Sequence, residues 1–463
     1  MYEIPQELQY KEKIVFGLTF HQLLWAILFA PIVLIILTKG NSDLTTKLTL
    51  ASIPAIIGAL FMFFNLSSKL KNFYFWIKFR NATTMSLKMK KFFNIKNIKD
   101  NFIEIKHHKN RFKKLYSTEK IAILEINPIN FSIKTEKEKE SIVKGFQKFL
   151  NSLDFPIQVL ITTSSLNLNK YLNNIKSKYQ KQHEDYKEFL TNTINNNKVI
   201  NRNFYLIIKE TSNLNNQLNI CIEKLSSINI KSRILTDNEL KQLLINQFSK
   251  DIVNKADSEV TKDDYLHYLI APRSIDNNTD YIKINEQFNR IITAYGYPRM
   301  VEAGFLDKII TSKGNFDISL HIEPISIEMT MIMLDKELQK QRADLYSTKA
   351  KNGINPSLEI KYQDTRKTLE ELQKGIQKLF NVSLYINCKA DNKEELNLLT
   401  QKIQSELNSL MIIPRIPLFR MQQGLKSVMP LAVDELKARR NITTQSLSAF
   451  FPFTSPFLNI DED

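Results

Sequence analysis

Two long apolar runs near the N-terminus limit what this chain can fold into. Phe20–Leu37 is apolar except for two positions near its start, and Leu48–Leu66 is a second run of similar length. A helix of that length rises about 27 Å, close to the thickness of the hydrocarbon core of a bilayer. The residues between the runs include glycine, asparagine and aspartate, which are typical of turns. We therefore predict a transmembrane hairpin over residues 1–66, with spans at about 20–37 and 48–66.

A cleaved signal peptide and a buried core hairpin are the alternatives for this segment. The leader before the first run carries Glu3, Glu7 and Glu12, and no small-x-small cleavage site follows the run. A signal peptide also does not explain the second run. The two-span interpretation and the buried hairpin therefore stay open, and we expect the first.

Positive charge is concentrated directly after the second run. The formal net charge is +16, and residues 65–120 contribute +12 of it, with fifteen basic and three acidic residues. The positive-inside rule then places both termini in the cytoplasm and predicts a multi-pass protein of the cell (inner) membrane. The proposed contacts with the membrane surface are basic residues of the juxtamembrane segment 67–119: Lys69, Lys71, Lys78, Arg80, Lys88, Lys90 and Lys91. Nucleic-acid phosphates are the alternative partner for this charge.

The rest of the chain alternates between strand and helix patterns. Lys120–Ile126 and Ile157–Ile161 are short apolar runs that predict strands. Capping boxes at Thr135 with Glu138 and at Thr236 with Glu239 predict helix starts. Other predicted elements are an amphipathic helix over Leu168–Leu190, a strand over Asn315–Ile322, a helix over Tyr362–Leu379 and a half-buried strand over Val382–Cys388.

These patterns predict an α+β fold class, with two cytoplasmic α+β units behind the membrane hairpin. The predicted boundaries are a first unit at 120–250, a linker at 251–280, a second unit at 281–435 and a C-terminal tail at 436–463.

We find no known catalytic or nucleotide-binding motif in the sequence. It contains no phosphate-binding loop, and Thr311–Asn315, the nearest approach to one, reads as a turn. His321 lies in a predicted strand, where a hydrogen-bonded core histidine is the simpler interpretation. Cys221 and Cys388 have no neighbours at metal-ligand spacing. We expect no enzyme, no cofactor and no metal site.

Short motifs give the chain a resemblance to two families. The opening, Tyr2–Glu7 and Lys13–Phe20 before two spans, resembles the PrgI family of inner-membrane subunits of conjugation and type IV secretion machines. Ile129–Phe131, Phe149–Gln158 and Phe450–Phe453 resemble the TraC-like N-terminal region of conjugation ATPases. In that family the last motif leads into a RecA-like motor domain, whereas this sequence ends shortly afterwards, at Asp463.

The resemblance implies a structural or assembly subunit of a type IV secretion or conjugation apparatus. Such a subunit would dock a separate motor ATPase, contact other channel subunits and work as an oligomer. We predict that Phe450, Phe451 and Phe453 form the docking surface, with burial in the second unit as the alternative. A membrane-tethered nucleic-acid-binding protein and a truncated remnant of a conjugation ATPase are the alternative functions.

Overall fold

A computed structural model of the chain divides into two compact units, residues 8–80 and residues 1–7 together with 81–463. It describes residues 2–4, 13–15, 18–39, 43–64, 66–78, 81–83, 95–110, 115–165, 200–247, 272, 274–350 and 356–455. The predicted helix at Leu168–Leu190 and most of the predicted linker lie outside these residues.

The helices and strands of the described residues are numbered here in chain order. The helices are α1 (Phe20–Lys39), α2 (Leu44–Phe63), α3 (Leu66–Lys78), α4 (Glu136–Ser152), α5 (Leu214–Ser226), α6 (Asp237–Asn246), α7 (Asp307–Ile310), α8 (Ile327–Ala350), α9 (Pro356–Gln373), α10 (Lys393–Ser409), α11 (Met421–Val428) and α12 (Thr444–Ser448). The strands are β1 (Tyr2–Glu3), β2 (Lys13–Val15), β3 (Leu18–Thr19), β4 (Asn81–Thr83), β5 (Ile95–Lys99), β6 (Phe102–Asn110), β7 (Leu115–Ile126), β8 (Ile157–Ser165), β9 (Ile200–Lys209), β10 (Ser232–Ile234), β11 (Ser274–Asn277), β12 (Ile282–Ile284), β13 (Gln287–Gly296), β14 (Met300–Val301), β15 (Phe316–Pro324), β16 (Leu379–Ala390), β17 (Ile413–Arg415) and β18 (Arg440–Thr443).

The smaller unit is helical. Both predicted apolar runs form helices, α1 and α2, which are followed by α3. Pro31 and Pro54 lie inside α1 and α2, a position that membrane helices tolerate better than soluble ones. The short strands β2 and β3 pair with each other ahead of α1.

One sheet dominates the larger unit. Fourteen of the described strands belong to it, in the order β4-β11-β12-β13-β16-β15-β8-β9-β7-β6-β5, and β10, β17 and β18 pair with β7, β13 and β16. Strand β1 pairs separately with β14 and so attaches the N-terminus to this unit.

The sheet is built from two repeats of one topology. Among the described elements, the first repeat runs β5-β6-β7-α4-β8-β9-α5-β10-α6. The second runs β11-β12-β13-β14-α7-β15-α8-α9-β16-α10-β17-α11, so that β14, α8 and α9 are additional to the shared order. Within each, the four strands around the two helices pair antiparallel in the order fourth, first, third, second, which is the ferredoxin-like arrangement. The repeats join where β8 pairs antiparallel with β15.

The two repeats also have the same residue types at one pair of matching positions. In the first, Glu125 of β7 pairs with Tyr205 of β9 on one side and Arg233 of β10 on the other. In the second, Thr293 of β13 has Tyr385 and Arg415 in the corresponding places. A tyrosine and an arginine therefore flank the first strand of the ferredoxin-like motif in both repeats.

Both faces of the sheet are buried. Helices α4, α5, α10 and α12 cover one face, where Phe146, Leu218 and Ile403 meet inward residues of the strands. Helices α6 and α11 cover the other face, where Leu240 and Leu425 belong to a second cluster. Strand β16 is consequently buried almost throughout. The prediction that Val382–Cys388 is half-buried was wrong because α11 and the residues after it cover its second face.

Local sequence signals set the starts of several elements. The capping boxes at Thr135 and Thr236 are confirmed, and each of these residues precedes a helix, α4 or α6. Asn392 caps α10 by accepting a hydrogen bond from the Glu395 N–H, at 2.8 Å. The predicted helix at Tyr362–Leu379 is displaced, since α9 ends at Gln373 and Leu379 begins β16.

The division into two separate α+β units differs from the structure. The two predicted units correspond in sequence to the two repeats, but β8 and β15 hydrogen-bond to each other across the predicted boundary. Each of the two apolar clusters therefore contains side chains from both repeats. Part of the predicted linker is also strand, because β11 covers Ser274–Asn277.

Much of the predicted juxtamembrane segment 67–119 also belongs to the sheet. Strands β4, β5 and β6 and the start of β7 fall inside it. Ile95, Ile98 and Ile103 are buried against the second cluster. Apolar residues between the lysines thus make part of segment 67–119 pack into the core of the larger unit.

Candidate membrane anchor

Helices α1 and α2 pack through aromatic rings and a glycine. The Trp25 and Phe61 ring centroids lie 4.4 Å apart, and the Phe29 ring lies 6.0 Å from that of Phe61. A Cβ atom added at Gly58 would lie 2.9 Å from the Phe29 Cβ, so this position needs glycine for close approach. Sequence reasoning missed these four residues, although Gly58 is the one glycine within the second apolar run and could have indicated the contact.

The outer faces of this hairpin are aliphatic and exposed. Exposed side chains along both helices include Leu24, Ile27, Leu28, Ile32, Leu34, Ile35, Leu48, Leu50, Ile53, Ile56 and Leu60. Among the described helices, only Leu44–Phe63 is long and apolar enough to cross a membrane by length and composition. The apolar part of α1, Gln22–Thr38, is shorter. The crossing by two helices therefore stays a prediction.

Helix α3 carries part of the predicted membrane-surface contact. Lys69 and Lys71 are exposed on it, as are Leu70, Phe73, Tyr74 and Ile77. The Phe73 and Trp76 rings stack with centroids 5.7 Å apart. Lysines beside exposed aromatic and aliphatic groups are the composition that suits the interface of a bilayer. Lys78 ends α3, and Arg80, Lys88, Lys90 and Lys91 lie outside the described residues.

The predicted docking residues are internal. Phe450, Phe451 and Phe453 are all 0% exposed. Phe450 packs beside Tyr297, and Phe451 meets Phe146 edge to face with centroids 5.4 Å apart. Rings that are fully buried cannot present a docking surface, so this prediction was wrong. The alternative, burial in the second unit, holds for Phe450, whereas Phe451 packs against the first unit.

Backbone bonds hold the same segment against the core. The Ile129 N–H donates to the Phe453 carbonyl at 3.0 Å, and the Ser455 N–H donates to the Ile129 carbonyl at 3.0 Å. Pro452 interrupts helix formation, and these two bonds give the chain an extended path across the face formed by α4. The segment therefore closes the core of the larger unit.

A polar network fastens the residues after α11 to the second face of the sheet. The Asp434 carboxylate accepts hydrogen bonds from the Tyr385 and Ser383 hydroxyls at 2.7 and 2.9 Å. Burial acts to raise the pKa of Asp434, but His321 and these hydrogen bonds outweigh it and lower the pKa. The Gln158 amide donates to the Met429 carbonyl and accepts from the Ala432 N–H. This arrangement is structural, since each carboxylate and amide oxygen named here already accepts a hydrogen bond.

His321 belongs to this network as a buried residue. Its Nε2 lies 2.6 Å from the Ser427 carbonyl and 3.2 Å from the Ser319 hydroxyl. Burial lowers its pKa, which keeps the ring neutral near neutral pH. The interpretation as a hydrogen-bonded core histidine is confirmed.

Backbone carbonyl groups of the glycine-containing turn at Thr311–Asn315 accept hydrogen bonds from Arg202. Arg202 donates to the Ser312 and Gly314 carbonyls at 3.0 and 3.3 Å, and its guanidinium lies 3.9 Å from the Phe316 ring centroid. Burial lowers the pKa of Arg202 to about 10. The turn thus serves to join β9 of one repeat to β15 of the other.

A cleft of about 180 Å³ lies beside β9 and α6 in the first repeat. Its lining includes Glu125, Tyr205, Arg233 and Glu239. Arg233 pairs with both carboxylates, and its hydrogen bond is the main reason why the pKa of Glu239 falls to about 2. Within the described residues, no group of three or more His, Cys, Asp or Glu side chains could hold a metal ion.

Comparison with known protein families gives a match to part of the chain. Residues 107–230 match the family model of the archaeal TraC-like domain. They extend from within β6 to a few residues beyond α5, and so fall within the first repeat. No curated protein matches the chain. The match supports the TraC-like part of the resemblance and indicates a conjugation-related protein; the PrgI resemblance stays a prediction.

Proposed function

We propose that this protein is a membrane-anchored, non-enzymatic subunit of a conjugation or type IV secretion apparatus. The observation that carries the proposal is an apolar helical hairpin whose two ends both return to one α+β unit. The TraC-like match supports the link to conjugation. The exposed aliphatic side chains of α1 and α2 support the anchor, because covering them with lipid gains on the order of 20 kcal/mol or more.

The attachment of both hairpin ends supports two crossings. Tyr2–Ile4 precede the hairpin and attach to the larger unit through β14 and through the Ile4 N–H, which donates to the Arg299 carbonyl. Asn81–Thr83 follow the hairpin and pair with β11. A chain that leaves and re-enters one folded body on one side of a bilayer crosses it an even number of times. This attachment of both ends therefore supports two crossings over a single crossing by α2.

The orientation follows from charge. Lys69 and Lys71 are exposed on α3, directly after α2, and the positive-inside rule assigns such residues to the cytoplasm. Both termini and the whole α+β unit are then cytoplasmic, in the inner or cell membrane. The lysines would meet anionic headgroups, while the aromatic residues of α3 occupy the interface.

Docking of a separate motor ATPase, within an oligomeric assembly of channel subunits, completes the proposal. The docking surface must come from exposed residues and therefore excludes Phe450, Phe451 and Phe453. Purification in mild detergent from cells that assemble the apparatus should yield the chain with an ATPase that mass spectrometry identifies by its Walker loop. A chain that purifies alone from such cells would count against docking while leaving the anchor intact.

Membrane extraction tests the anchor. An alkaline carbonate wash should leave the native chain in the membrane fraction. A variant with four exposed hairpin residues changed to lysine should be released to a greater extent than the native chain. Each charge costs about 2.5–3.5 kcal/mol at the centre of a bilayer, so four charges offset about half of the gain or more. The four changes are Ile27→Lys, Leu34→Lys, Ile53→Lys and Ile56→Lys.

The matched control carries four lysines at exposed aliphatic positions of the larger unit and should stay in the membrane fraction. Its changes are Ile133→Lys, Ile376→Lys, Leu398→Lys and Ile413→Lys. Release of the native chain, or retention of the hairpin variant to the same extent as the control, would contradict the anchor.

A further inference from the structure

Helices α8 and α9 are additional to the element order that the two repeats share. They pack against each other, and the buried residues of α8, which include Leu334 and Gln341, lie along one side of that helix. The opposite side also carries large apolar groups, because Met329, Ile332 and Tyr346 are 61%, 56% and 62% exposed. Single exposed apolar residues are ordinary on a protein surface, but a row of them along one helix indicates a contact. Helix α8 therefore has a second apolar side that is exposed to solvent.

The exposed side of α8 repeats with the spacing of a coiled coil. Side chains at alternating intervals of three and four residues form one row along it, which we call the α8 stripe: Met329, Ile332, Lys336, Gln339, Ala343 and Tyr346. All are exposed except Lys336, which is half-buried. This spacing is that of the a and d positions, which face a partner helix. The stripe is about 26 Å long, has apolar residues toward both ends and two polar residues at its centre, and therefore fits a helix better than a strand or a small molecule.

We propose that the α8 stripe pairs antiparallel with the α8 stripe of a second copy of this chain. In that register Ile332 faces Ala343 of the second copy, and the apolar ends of the two stripes cover each other. At the centre, Lys336 faces Gln339 of the second copy, whose side-chain oxygen can accept a hydrogen bond from the ammonium group. A parallel pair would instead place the two Lys336 charges against each other, which disfavours that orientation.

The charges beside the stripe are complementary in the same register. Asp335 and Arg342 are exposed and border the stripe on one side, one position before Lys336 and Ala343. In the antiparallel pair, Asp335 of each copy lies beside Arg342 of the other, so the two-fold symmetry gives two pairs of opposite charge. A helix whose flanking charges match its own reversed copy favours a second copy of this chain over an unrelated helix. The contact deepens the proposed function, because it rests on an oligomeric apparatus and names one surface through which copies meet.

Disulfide cross-linking in isolated membranes tests the pairing. The variant Ile332→Cys with Ala343→Cys should form a covalent dimer under mild oxidation, because these two positions face each other between copies. Neither single variant should do so, because identical positions lie about 16 Å apart along the pair, beyond the reach of a disulfide. The matched control, Glu359→Cys with Glu370→Cys, has the same spacing at exposed positions of α9 and should stay monomeric on unreduced gels.

An exchange of charge tests the orientation. Asp335→Arg should weaken self-association about tenfold, because two pairs of like charge replace two pairs of opposite charge. Addition of Arg342→Asp to this variant restores opposite charges between the copies and should restore the dimer. Mass photometry in detergent measures the dimer fraction of each variant, and circular dichroism checks that each is folded.

Each of four results would overturn the pairing. The double cysteine variant could stay monomeric, or one single variant could cross-link as well as the double variant, which would indicate a parallel contact. The α9 control could cross-link to the same extent, which would indicate random collision. Finally, Asp335→Arg could dimerise as the native chain does, or its loss of dimer could persist after the exchange of charge. None of these results affects the membrane extraction, since that test changes α1 and α2 and leaves α8 as it is.

Discussion

Removal of one phenylalanine ring tests whether the C-terminal segment is core. Phe451 is 0% exposed, and its ring lies 5.6 Å from that of Phe131 and 5.4 Å from that of Phe146. A buried Phe→Ala change costs about 3–5 kcal/mol, because the transfer free energy is lost and a cavity remains. The larger unit has about 390 residues, for which the unfolding entropy is roughly 0.8 kcal/mol/K. Phe451→Ala should therefore lower the Tm by about 4–6 °C.

Differential scanning fluorimetry in detergent measures this shift. The control is Ile133→Ala, which changes a nearby side chain that is 64% exposed and should move the Tm by less than about 1 °C. Suppose that Phe451→Ala has the same Tm as the control variant but no longer captures a motor ATPase. The segment is then a docking surface, and its assignment to the core from burial is refuted.

Three further predictions concern thiols, helix packing and pH. Burial raises the pKa of both native cysteine thiols to about 12, so neither should react with a water-soluble disulfide reagent until the protein is denatured; prompt labelling of the native chain would disprove this. Phe29→Cys with Gly58→Cys should form a disulfide under mild oxidation, seen by mass spectrometry of unreduced peptides, because a Cβ atom added at Gly58 lies 2.9 Å from the Phe29 Cβ. Ile27→Cys with Gly58→Cys should not, because Ile27 is exposed, and equal yields would refute the packing. Burial lowers the pKa of His321 from 6.5, so the unfolded chain takes up the proton first and stability falls as the pH drops below about 6.5. The Tm of the variant H321Q should depend less on pH over that range than the Tm of the native chain. An unchanged pH dependence would rule out His321 as the cause of the loss of stability.

Local sequence signals predicted individual helices and strands better than they predicted how those elements pack into one sheet. The capping boxes at Thr135 and Thr236 each depend on two residues three positions apart, and both helices begin as expected. Strand β8 starts at the predicted Ile157 because Phe155-Pro156 ends the preceding helical pattern. Such signals depend on neighbouring residues and need no tertiary context.

The duplication and the burial of the C-terminal phenylalanines depend on contacts that are distant in sequence. The β8–β15 pairing joins residues about 160 positions apart. The Tyr205 and Tyr385 match becomes visible only once the strand register is known. Phe450 is covered by Tyr297 and Phe305, which no local pattern connects to it. The aromatic cluster in the sequence was therefore compatible with a core or a docking surface, and the fold decides for the core.

Site-directed labelling on intact cells shows whether the hairpin crosses the membrane twice and leaves the larger unit in the cytoplasm. Single cysteines are placed at Asp43, which precedes α2, and at Asn408, which is exposed on α10 of the larger unit. The native cysteines are buried and can remain. With a two-span hairpin, a membrane-impermeant maleimide should label Asp43→Cys on intact cells and label Asn408→Cys only after lysis. Labelling of Asn408→Cys on intact cells, or protection of Asp43→Cys until lysis, would contradict a cytoplasmic unit anchored by a two-span hairpin.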